Sequence, residues 1–415
     1  MARNRRNIRR NTKVKEFLTS RNFFIIVGIL LAIIIVCVGI NLIRGGMAKA
    51  ELAKQQAEIR AQSEEIFSQI TENIQETNKD IQESDIIIKL SAVGDIVCSD
   101  EMIQDAYNEE EKTYDFSHMF SNIADLVDVS DIVMGTMEAE ITNSNKYDDK
   151  NAPIEFARAV RASGVNLVSV ANNYNWSNKN GLQETKRNLE SAGFTVIGDK
   201  QNSNKVLIKE VKGSKIAIIS YTSLTSDKQN LVNVFNEKQA KKDIEYAKKE
   251  ADYICVMIHW GDELSETVNK EQKEIADFLV DNGVDLIIGS HPSIVQPMEI
   301  RANKDGKNVF IAYSVGTYVS SLPEEKAKEE LVLNIELRKN RNDGTIYLNK
   351  VDYTPIYMLD NGENSQNRFE LIDMKKTATS YKGDGTDKIS KETYDNLVDG
   401  LNRLNRALGA NNNEE

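Results

Sequence analysis

The chain has 415 residues, is 40% hydrophobic and contains only five prolines, which allows one large folded domain or two ordinary ones. Residues 1–44 carry nine Lys/Arg and one acid, so the net charge of −12 leaves −20 on the remaining 371 residues. A body this acidic excludes a nucleic-acid binder, which normally presents a basic face. The three cysteines, Cys37, Cys98 and Cys255, form no CxxC or Cys/His cluster, so we expect neither a disulfide framework nor a structural zinc site.

The N-terminal region contains an uncharged run of 21 residues, FFIIVGILLAIIIVCVGINLI, at 23–43. A membrane-spanning helix needs about 20 apolar residues, so this run predicts a transmembrane signal-anchor. Eight basic residues precede it within 1–22, and only Arg44 follows closely. The positive-inside rule then places residues 1–22 in the cytoplasm and the body outside, with the protein in the cell membrane as a single-pass chain. Cleavage of a signal peptide within RGGMAKA is the alternative.

The segment 44–84 is predicted to be a helical stalk, because 47–84 is rich in Ala, Glu, Gln and Lys and lacks proline and glycine. Apolar residues recur at spacings of seven or eight: Leu52, Ile59, Ile66, Ile74 and Ile81. One apolar residue per two turns is thinner than a coiled-coil seam, which needs two. Weak self-association through the stalk and a solvated helix or flexible spacer both stay open.

The body, predicted as one domain over 85–372, alternates short apolar runs with amphipathic stretches. The runs predict strands at 86–93, 131–134, 166–170, 195–197, 215–220, 253–258 and 285–288. The stretches 180–193 and 269–283 have helical spacing and end in glycine, so an α/β domain with helix-covered sheets is expected. The runs at 309–315, 329–339 and 344–359 lack intervening helices and predict an antiparallel section. The polar appendage 373–415 includes a predicted helix at 391–408.

Polar side chains follow five of these strands within one to four residues of the last apolar position. They are Asp95, Glu138 with Glu140, Asn173 after Asn172, His259 with Asp262, and His291. The carboxyl ends of parallel strands form one rim, where ligands bind. Carboxylate, amide and imidazole groups together suit a divalent metal ion.

Each of these residues also has a structural interpretation. Gly94-Asp95 is a common turn and helix cap, paired asparagines form turns, and a histidine can be a satisfied core residue. The chain has only three histidines, and two of them, His259 and His291, follow strands. This coincidence favours a shared site. His118 lies in an amphipathic stretch and is interpreted as a surface or packing residue.

Six motifs in order resemble bacterial capsule-synthesis proteins of the CapA type. They are SAVGDIVCSD, DIVMGTMEAEIT, the segment SGVNLVSVANNYNWSNKNG with the helix after it, ADYICVMIHWGDE, NGVDLIIGSHPSIVQPMEI and NVFIAYSVGTY, spanning roughly 88–320. The resemblance implies a role in poly-gamma-glutamate capsule production at the cell surface. It also implies a calcineurin-like metallophosphoesterase-type fold, a β-sandwich with flanking helices.

The resemblance carries over a metal site residue by residue. Asp95 matches the family's Gly-Asp motif, and Glu138 matches the glutamate of Asn-Leu-Glu. Asn173 matches the second asparagine of Ala-Asn-Asn-His, His259 the histidine of His-Trp-Gly, and His291 the middle histidine of Gly-His-His-Pro-His. These five residues are the predicted ligands of a divalent metal ion, and Asn173, Tyr174 and His259 occupy the catalytic positions.

Several family positions are changed in this chain. Tyr174 stands where the family has the histidine of a catalytic acid, and an aspartate expected a few residues later is missing. Ser290 and Ser293 replace two histidines, and Thr136 and Thr317 replace asparagines. Tyrosine has an ordinary pKa near 10 and is a poorer match than histidine for proton exchange at neutral pH. The site is therefore predicted to be degenerate, with at most one tightly held metal ion and weak or absent phosphoesterase activity.

Two functional classes follow from this pattern. The first is a non-catalytic surface module that binds or organises capsule or wall polymer, with capsule-synthesis membrane proteins as partners. The second is an active metal-dependent phosphoesterase. The rim-loop aromatics Tyr174, Trp176, Trp260 and Tyr318 either stack on polymer or pack within the protein. Because poly-gamma-glutamate is a polyanion and the body is acidic, binding it requires a local cationic patch or a metal ion.

Overall fold

The structure is a computed structural model that describes residues 85–409, with gaps at 128–129, 145, 149–150, 175, 178, 201–204 and 225–230, together with Lys54. The predicted span 23–43 and, apart from Lys54, the predicted stalk lie outside these residues. Within the described part of the chain, no helix has the length and apolar character needed to cross a membrane. Residues 382–387 belong to a second unit, apart from that of the body, and there the Asp387 carboxylate accepts the backbone N–H groups of Lys382 and Gly383.

The strands and helices of the described residues follow in chain order. The strands are β1 (Ile86–Val97), β2 (Tyr107–Asn108), β3 (Thr113–Tyr114), β4 (Ile132–Glu138), β5 (Glu140–Ile141), β6 (Asn151–Ala152), β7 (Leu167–Ser169), β8 (Thr195–Ile197), β9 (Val206–Val211), β10 (Ser214–Thr222), β11 (Tyr253–His259), β12 (Leu286–Ser290), β13 (Met298–Ala302), β14 (Asn308–Ala312), β15 (Thr317–Val319), β16 (Glu329–Lys339), β17 (Ile346–Asp360) and β18 (Phe369–Asp373). The helices are α1 (Asp100–Ala106), α2 (Ser117–Phe120), α3 (Ile154–Ala162), α4 (Lys179–Ser191), α5 (Glu237–Glu250), α6 (Lys270–Asp281), α7 (Met374–Ser380) and α8 (Lys391–Gly409), with 3₁₀ turns at Ala124–Leu126 and Glu325–Lys328.

Two mixed sheets contain most of these strands. The first has the order β18-β17-β16-β1-β4-β7-β8, with β15 also paired to β1, and the second has the order β13-β14-β12-β11-β10-β9. β1, β4, β7 and β8 run parallel, as do β10, β11, β12 and β14. The predicted antiparallel section is present in β16, β17 and β18. β14 differs from that prediction, because it joins the second sheet parallel to β12 and antiparallel to β13.

The two sheets face each other across a buried layer. Side chains alternate between the faces of a strand, so every second residue of β4 and β11 points into this layer. Met134 Sδ lies 4.0 Å from Cys255 Sγ, and Ser169 Oγ lies 2.5 Å from Ser220 Oγ. These contacts join one sheet to the other, so the domain is an α/β sandwich of two sheets.

Helices cover the outer faces of the sandwich. Val133 and Met137 of β4 pack in one apolar cluster with Phe156 of α3. Ile254 of β11 packs in the other with Ile244 of α5, together with Leu279 of α6. Each sheet therefore has one face against its partner and one against helices, which explains why its strands are apolar on both faces and read as continuous runs.

The helices predicted at 180–193, 269–283 and 391–408 are present at the positions that the sequence patterns indicate. α6 begins with a capping box in which Asn269 and Gln272 satisfy each other's backbone N–H groups, and Gly283 follows its end with φ +88°. α8 coincides with the helix predicted in the appendage. Arg403 of α8 pairs with the buried Glu329 of β16, which holds this helix on the body. The predicted domain boundaries at 85 and 373 stay predictions.

Candidate metal centre

The carboxyl ends of parallel strands from both sheets meet at one place. Asp95 near the end of β1 is in register with Thr136 of β4, and Glu138 ends β4. In the other sheet, His259 at the end of β11 is in register with Ser290 at the end of β12. Four elements thus deliver polar side chains to the same edge of the sandwich, as the rule for parallel sheets predicts.

Gly94 explains the Gly-Asp motif. The register of β1 against β4 shifts between Ala92 and Asp95, and the loop before β15 approaches this irregular segment closely. A Cβ atom at position 94 would lie 1.8 Å from the carbonyl oxygen of Gly316, so only glycine fits. The close approach lets the Asp95 side chain enter the layer between the sheets, where it is buried.

His259 is the centre of the site. Its Nε2 lies 3.0 Å from Glu138 Oε1 and 2.9 Å from Asn173 Oδ1. Its Nδ1 lies 3.5 Å from Asp95 Oδ1 and 3.0 Å from Ser290 Oγ. The imidazole is 1% exposed, whereas the Glu138 side chain is 19% exposed. The structure therefore brings three of the predicted ligands, Asp95, Glu138 and Asn173, around the ring of a fourth, His259.

His291, the fifth predicted ligand, lies beside the ring of His259. The two ring centroids are 4.7 Å apart at an angle of 60°. The backbone N–H of His291 donates to Asp95 Oδ2 at 2.9 Å. His291 has φ 99° and Ser293 has φ 56°, conformations that L residues rarely adopt. This strained turn is held by the Asp95 carboxylate, so Asp95 orients the turn as well as facing His259.

The two asparagines after β7 have different surroundings. Asn172 is fully buried, donates from Nδ2 to the carbonyl of Met137 at 2.7 Å and accepts the N–H of Tyr174 at 3.1 Å. It fastens the loop to the end of β4. Asn173, the next residue, presents its Oδ1 to His259. The motif thus combines one structural asparagine with one that reaches the site.

Tyr174 packs with its ring against Trp176, at a centroid distance of 4.9 Å and an angle of 62°. The same ring lies against the apolar cluster that contains Phe156. Trp260 is also buried, stacked on Tyr313 with its Nε1–H donated to the Tyr313 carbonyl at 2.8 Å. These contacts support the packing interpretation of the rim-loop aromatics.

The buried charges shift one another's protonation. Burial lowers the pKa of His259, but the carboxylates of Glu138 and Asp95 outweigh that effect and raise the pKa to about 9. Burial and the Asp95 charge raise the pKa of Glu138, against the opposing effect of His259. Burial and the His259 charge lower the pKa of His291 to about 4. In this arrangement His259 is the cation that balances two carboxylates.

The donor set fits a divalent cation. Ligand atoms of Asp95, Glu138 and His259 all lie within 4.8 Å of one another. Asp95 Oδ1 and Glu138 Oε1 are buried and accept no hydrogen bond of good geometry from the described residues. A buried carboxylate oxygen without a donor is unfavourable unless a cation or a proton satisfies it. Two such oxygens beside an imidazole are the ligands that divalent metal ions use. Ligation by the five predicted residues remains a prediction.

The sequence patterns did not predict the part that two further groups play at the site. Ser290 Oγ links His259 Nδ1 to Thr136 Oγ1, which lies 3.1 Å from it, so the serine fixes the ring between the sheets. Glu330 of β16 is fully buried, and both its carboxylate oxygens lack hydrogen-bond partners among the described residues. Burial raises its pKa well above the usual range, and the Asp95 charge adds to this.

The comparison with protein families matches residues 89–321, more than half of the chain, to the family described as bacterial capsule synthesis protein PGA_cap. The chain belongs to this family. The matched region contains the strands of both sheets that carry the site residues, from β1 to β15.

Two curated relatives are similar to more than half of the chain. The PGA biosynthesis protein CapA of Bacillus subtilis is 27% identical over 280 residues, which cover 62% of this chain and 70% of the relative. The capsule biosynthesis protein CapA of Bacillus anthracis is 25% identical over 286 residues, which cover 64% and 66%.

Solved structures show more distant likenesses. A novel phosphatase from Mycoplasma pneumoniae has a TM-score of 0.43 at 16% identity, covering 66% of this chain and 94% of that one. The calcineurin-like phosphoesterase YfkN of Bacillus subtilis has a TM-score of 0.39 at 14% identity, covering 78% and 99%. Structural similarities at this level do not indicate a function for the chain.

Proposed function

We propose that this protein acts in the biosynthesis, export or anchoring of a capsule polymer such as poly-gamma-glutamate, through an extracellular domain that binds a divalent metal ion. Membership of the capsule-synthesis family supports the capsule role. The observation that carries the metal site is the clustering of ligand atoms of Asp95, Glu138 and His259, which all lie within 4.8 Å of one another, with Asp95 Oδ1 and Glu138 Oε1 buried and accepting no hydrogen bond of good geometry from the described residues. We assign the domain to the calcineurin-like metallophosphoesterase type on the order of its motifs.

The residues of the site have distinct roles in this proposal. Asp95, Glu138 and His259 hold the metal ion, and Asn173 adds an amide oxygen next to the ring. A bound divalent ion supplies positive charge that attracts an anionic group or activates water. Ser290 and Thr136 keep the His259 ring in place between the sheets. The protein therefore presents a metal-dependent anion site at the sheet edge.

Binding of a metal ion must displace a proton from His259. A ligating imidazole is neutral, whereas the pKa of His259 is raised to about 9 in the arrangement described. Metal affinity should therefore rise with pH between neutrality and pH 9. Calorimetric titration in buffers of different ionisation enthalpy measures the released proton without reference to any activity.

The surroundings of Tyr174 and His291 support binding or assembly over rapid hydrolysis. Tyr174 occupies the family's catalytic-acid position, and its ring packs against Trp176. The pKa of His291 is lowered to about 4, so this residue is neutral near pH 7 and cannot replace the acid. We infer a slow phosphoesterase or none. Brisk turnover of a phosphoester by the unaltered protein, abolished by His259→Ala, would refute this inference and establish the enzyme alternative.

The decisive experiment measures metal content and surface polymer together. Metal analysis of the purified protein should find up to one divalent ion per chain, lost in His259→Ala and kept in His118→Ala. His118 is a matched control, since it lies outside the site and pairs with Asp105 at 2.8 Å. Cells that produce only the His259→Ala protein should carry less surface polymer. Normal polymer with no bound metal in either protein would contradict the metal role.

The membrane topology is a separate part of the proposal, because it concerns residues 1–84. The uncharged run 23–43 and its basic flank support a single-pass anchor with the body outside. Protease added to intact cells, after removal of the wall, should release the body. Protection of the body until the membrane is broken would reverse the orientation.

A further inference from the structure

A cavity of about 870 Å³ lies away from the metal centre, and none of the five predicted metal ligands lines it. It is bordered by α6, by α8, by β13 and by the segment after β11. Its volume is in the range of ligand sites. Its cationic lining residues come from separate elements: Lys273, Arg301, Lys326, Arg403 and Arg406.

Three of these cations are already paired. Arg301 contacts Glu299 and Asp277, Lys326 lies 2.9 Å from Glu266, and Arg403 is held by the buried Glu329. Their charges are therefore largely balanced within the protein.

Lys273 and Arg406 differ from the other three cations. Both side chains are exposed and have no ion pair or side-chain hydrogen bond among the described residues. Lys273 is on α6 and Arg406 is on α8, so two helices each present one uncompensated charge to the same cavity. In a body with a net charge of −20, two unpaired cations facing one cavity define a local attraction for an anion.

The arrangement of charge favours separate carboxylates over one phosphate. The lining contains the acids Glu266, Asp277 and Glu299 beside its five cations, so a concentrated double negative charge would meet repulsion from the lining. Val268, Pro297 and Ala407 add apolar surface to the same cavity. A chain that carries single carboxylates separated by methylene groups matches this mixed lining.

We propose that this cavity binds a segment of a carboxylate-bearing polymer, with Lys273 and Arg406 as its principal contacts. The choice of poly-gamma-glutamate as that polymer rests on the proposed function. The site itself rests on the lining and on the two unpaired cations.

The segment after His259 connects the cavity with the metal centre. Leu264 donates its backbone N–H to the carbonyl of Pro292 in the His291 turn at 2.8 Å. The buried Gln296 donates to the carbonyls of Ser265 and Thr267 at 2.9 and 3.0 Å, and Thr267 lines the cavity. A polymer segment in the cavity would therefore contact the same loop that begins at the metal centre.

The test measures binding of a short, end-labelled oligo-gamma-glutamate to the full chain by fluorescence anisotropy. The variant Lys273→Gln/Arg406→Gln should weaken binding about tenfold, since two partly exposed charge contacts of this kind together contribute that much. The control Lys270→Gln/Lys391→Gln removes the same charge from the same two helices. Lys270 and Lys391 pair with Glu274 and Asp395 and do not line the cavity. The control should bind as the unaltered protein does.

Several results would overturn the proposal. Equal losses of polymer binding in both double variants would mean that only the overall charge of the protein matters. Absence of polymer binding by the unaltered protein would refute the proposed site. Binding that disappears with chelator or in His259→Ala, yet survives in Lys273→Gln/Arg406→Gln, would place the polymer at the metal centre. Tighter binding of inorganic polyphosphate through the same two cations would refute the carboxylate assignment. Metal titration of the same samples tests the proposed function separately, because the cavity variants should keep full metal affinity.

Discussion

The candidate metal centre and the cation-lined cavity both contain charged side chains, but the surroundings of those side chains are opposite. Asp95 and His259 are buried between two sheets, and each depends on the other for compensation. Lys273 and Arg406 are exposed and keep their water. Removing a partner from a buried set leaves an uncompensated charge, whereas removing an exposed charge changes little but the local potential. Folding should therefore depend on the first site, and the second should be free to serve binding.

The largest effect is expected for His259→Ala. In the presence of a chelator, this change leaves Asp95 and Glu138 facing each other without a cation, so the free energy of unfolding should fall by about 3–5 kcal/mol. Divalent metal affinity should fall about 100-fold. Urea denaturation and calorimetric metal titration measure the two losses. The control His118→Ala should keep its metal affinity, and unchanged metal affinity in His259→Ala would separate this residue from the site.

The pH dependence of stability should follow the same buried set. The pKa of His259 is raised to about 9, above the ordinary 6.5. Its contribution to the free energy of unfolding is therefore fully present below pH 6.5 and is lost as the pH rises through 9. The raised pKa of Glu138 also makes its contribution fall with rising pH. The pKa of His291 is lowered to about 4, so its contribution is present above pH 6.5 and is lost as the pH falls through 4.

These signs predict a difference between variants that can be measured. With chelator present, the stability advantage of the unaltered protein over His259→Gln should shrink by roughly 3 kcal/mol between pH 6.5 and 9. Denaturant titrations at several pH values test it. A difference that stays constant over this range would contradict the assignment of the charge to His259. His118→Gln is the matched histidine control. Its stability should fall between pH 6.5 and 9 as that of the unaltered protein does.

The adjacent asparagines sharpen the comparison within one loop. Asn172→Ala removes the bonds to Met137 and Tyr174 and leaves buried backbone groups unpaired, so it should cost about 2 kcal/mol of stability. Asn173→Ala should act mainly on metal affinity, because its Oδ1 faces His259. Thermal denaturation and metal titration of both variants separate the roles. The opposite pattern, with the larger stability loss at 173, would reverse them.

The smallest effect on stability is expected in the cavity. Arg406→Gln removes an exposed cation without an ion pair among the described residues, so the free energy of unfolding should change by no more than about 0.5 kcal/mol. Denaturation in urea measures it, with the unaltered protein as reference. A loss comparable to that of His259→Ala would mean that the cavity is part of the folding core, and its charges would then not be available for a ligand.

The sequence by itself located the strand ends that carry the site. Continuous apolar runs, such as that before His259, are what strands covered on both faces require, and polar residues directly after them must lie at the sheet edge. Gly283 likewise marked the end of α6 through local backbone chemistry. These features depend on neighbours in the chain, so they can be predicted without knowledge of the fold.

Tertiary structure decided which of these polar residues meet and how. The family resemblance singled out Asn173, but the strand pattern alone does not distinguish it from Asn172, which fastens the loop, because the difference depends on where β4 ends in space. The orphaned Glu330 and the cavity between α6 and α8 are equally hidden, since they arise from segments far apart in the chain. Burial and charge compensation are properties of the packed sheets, and only the packing shows which carboxylates lack a donor.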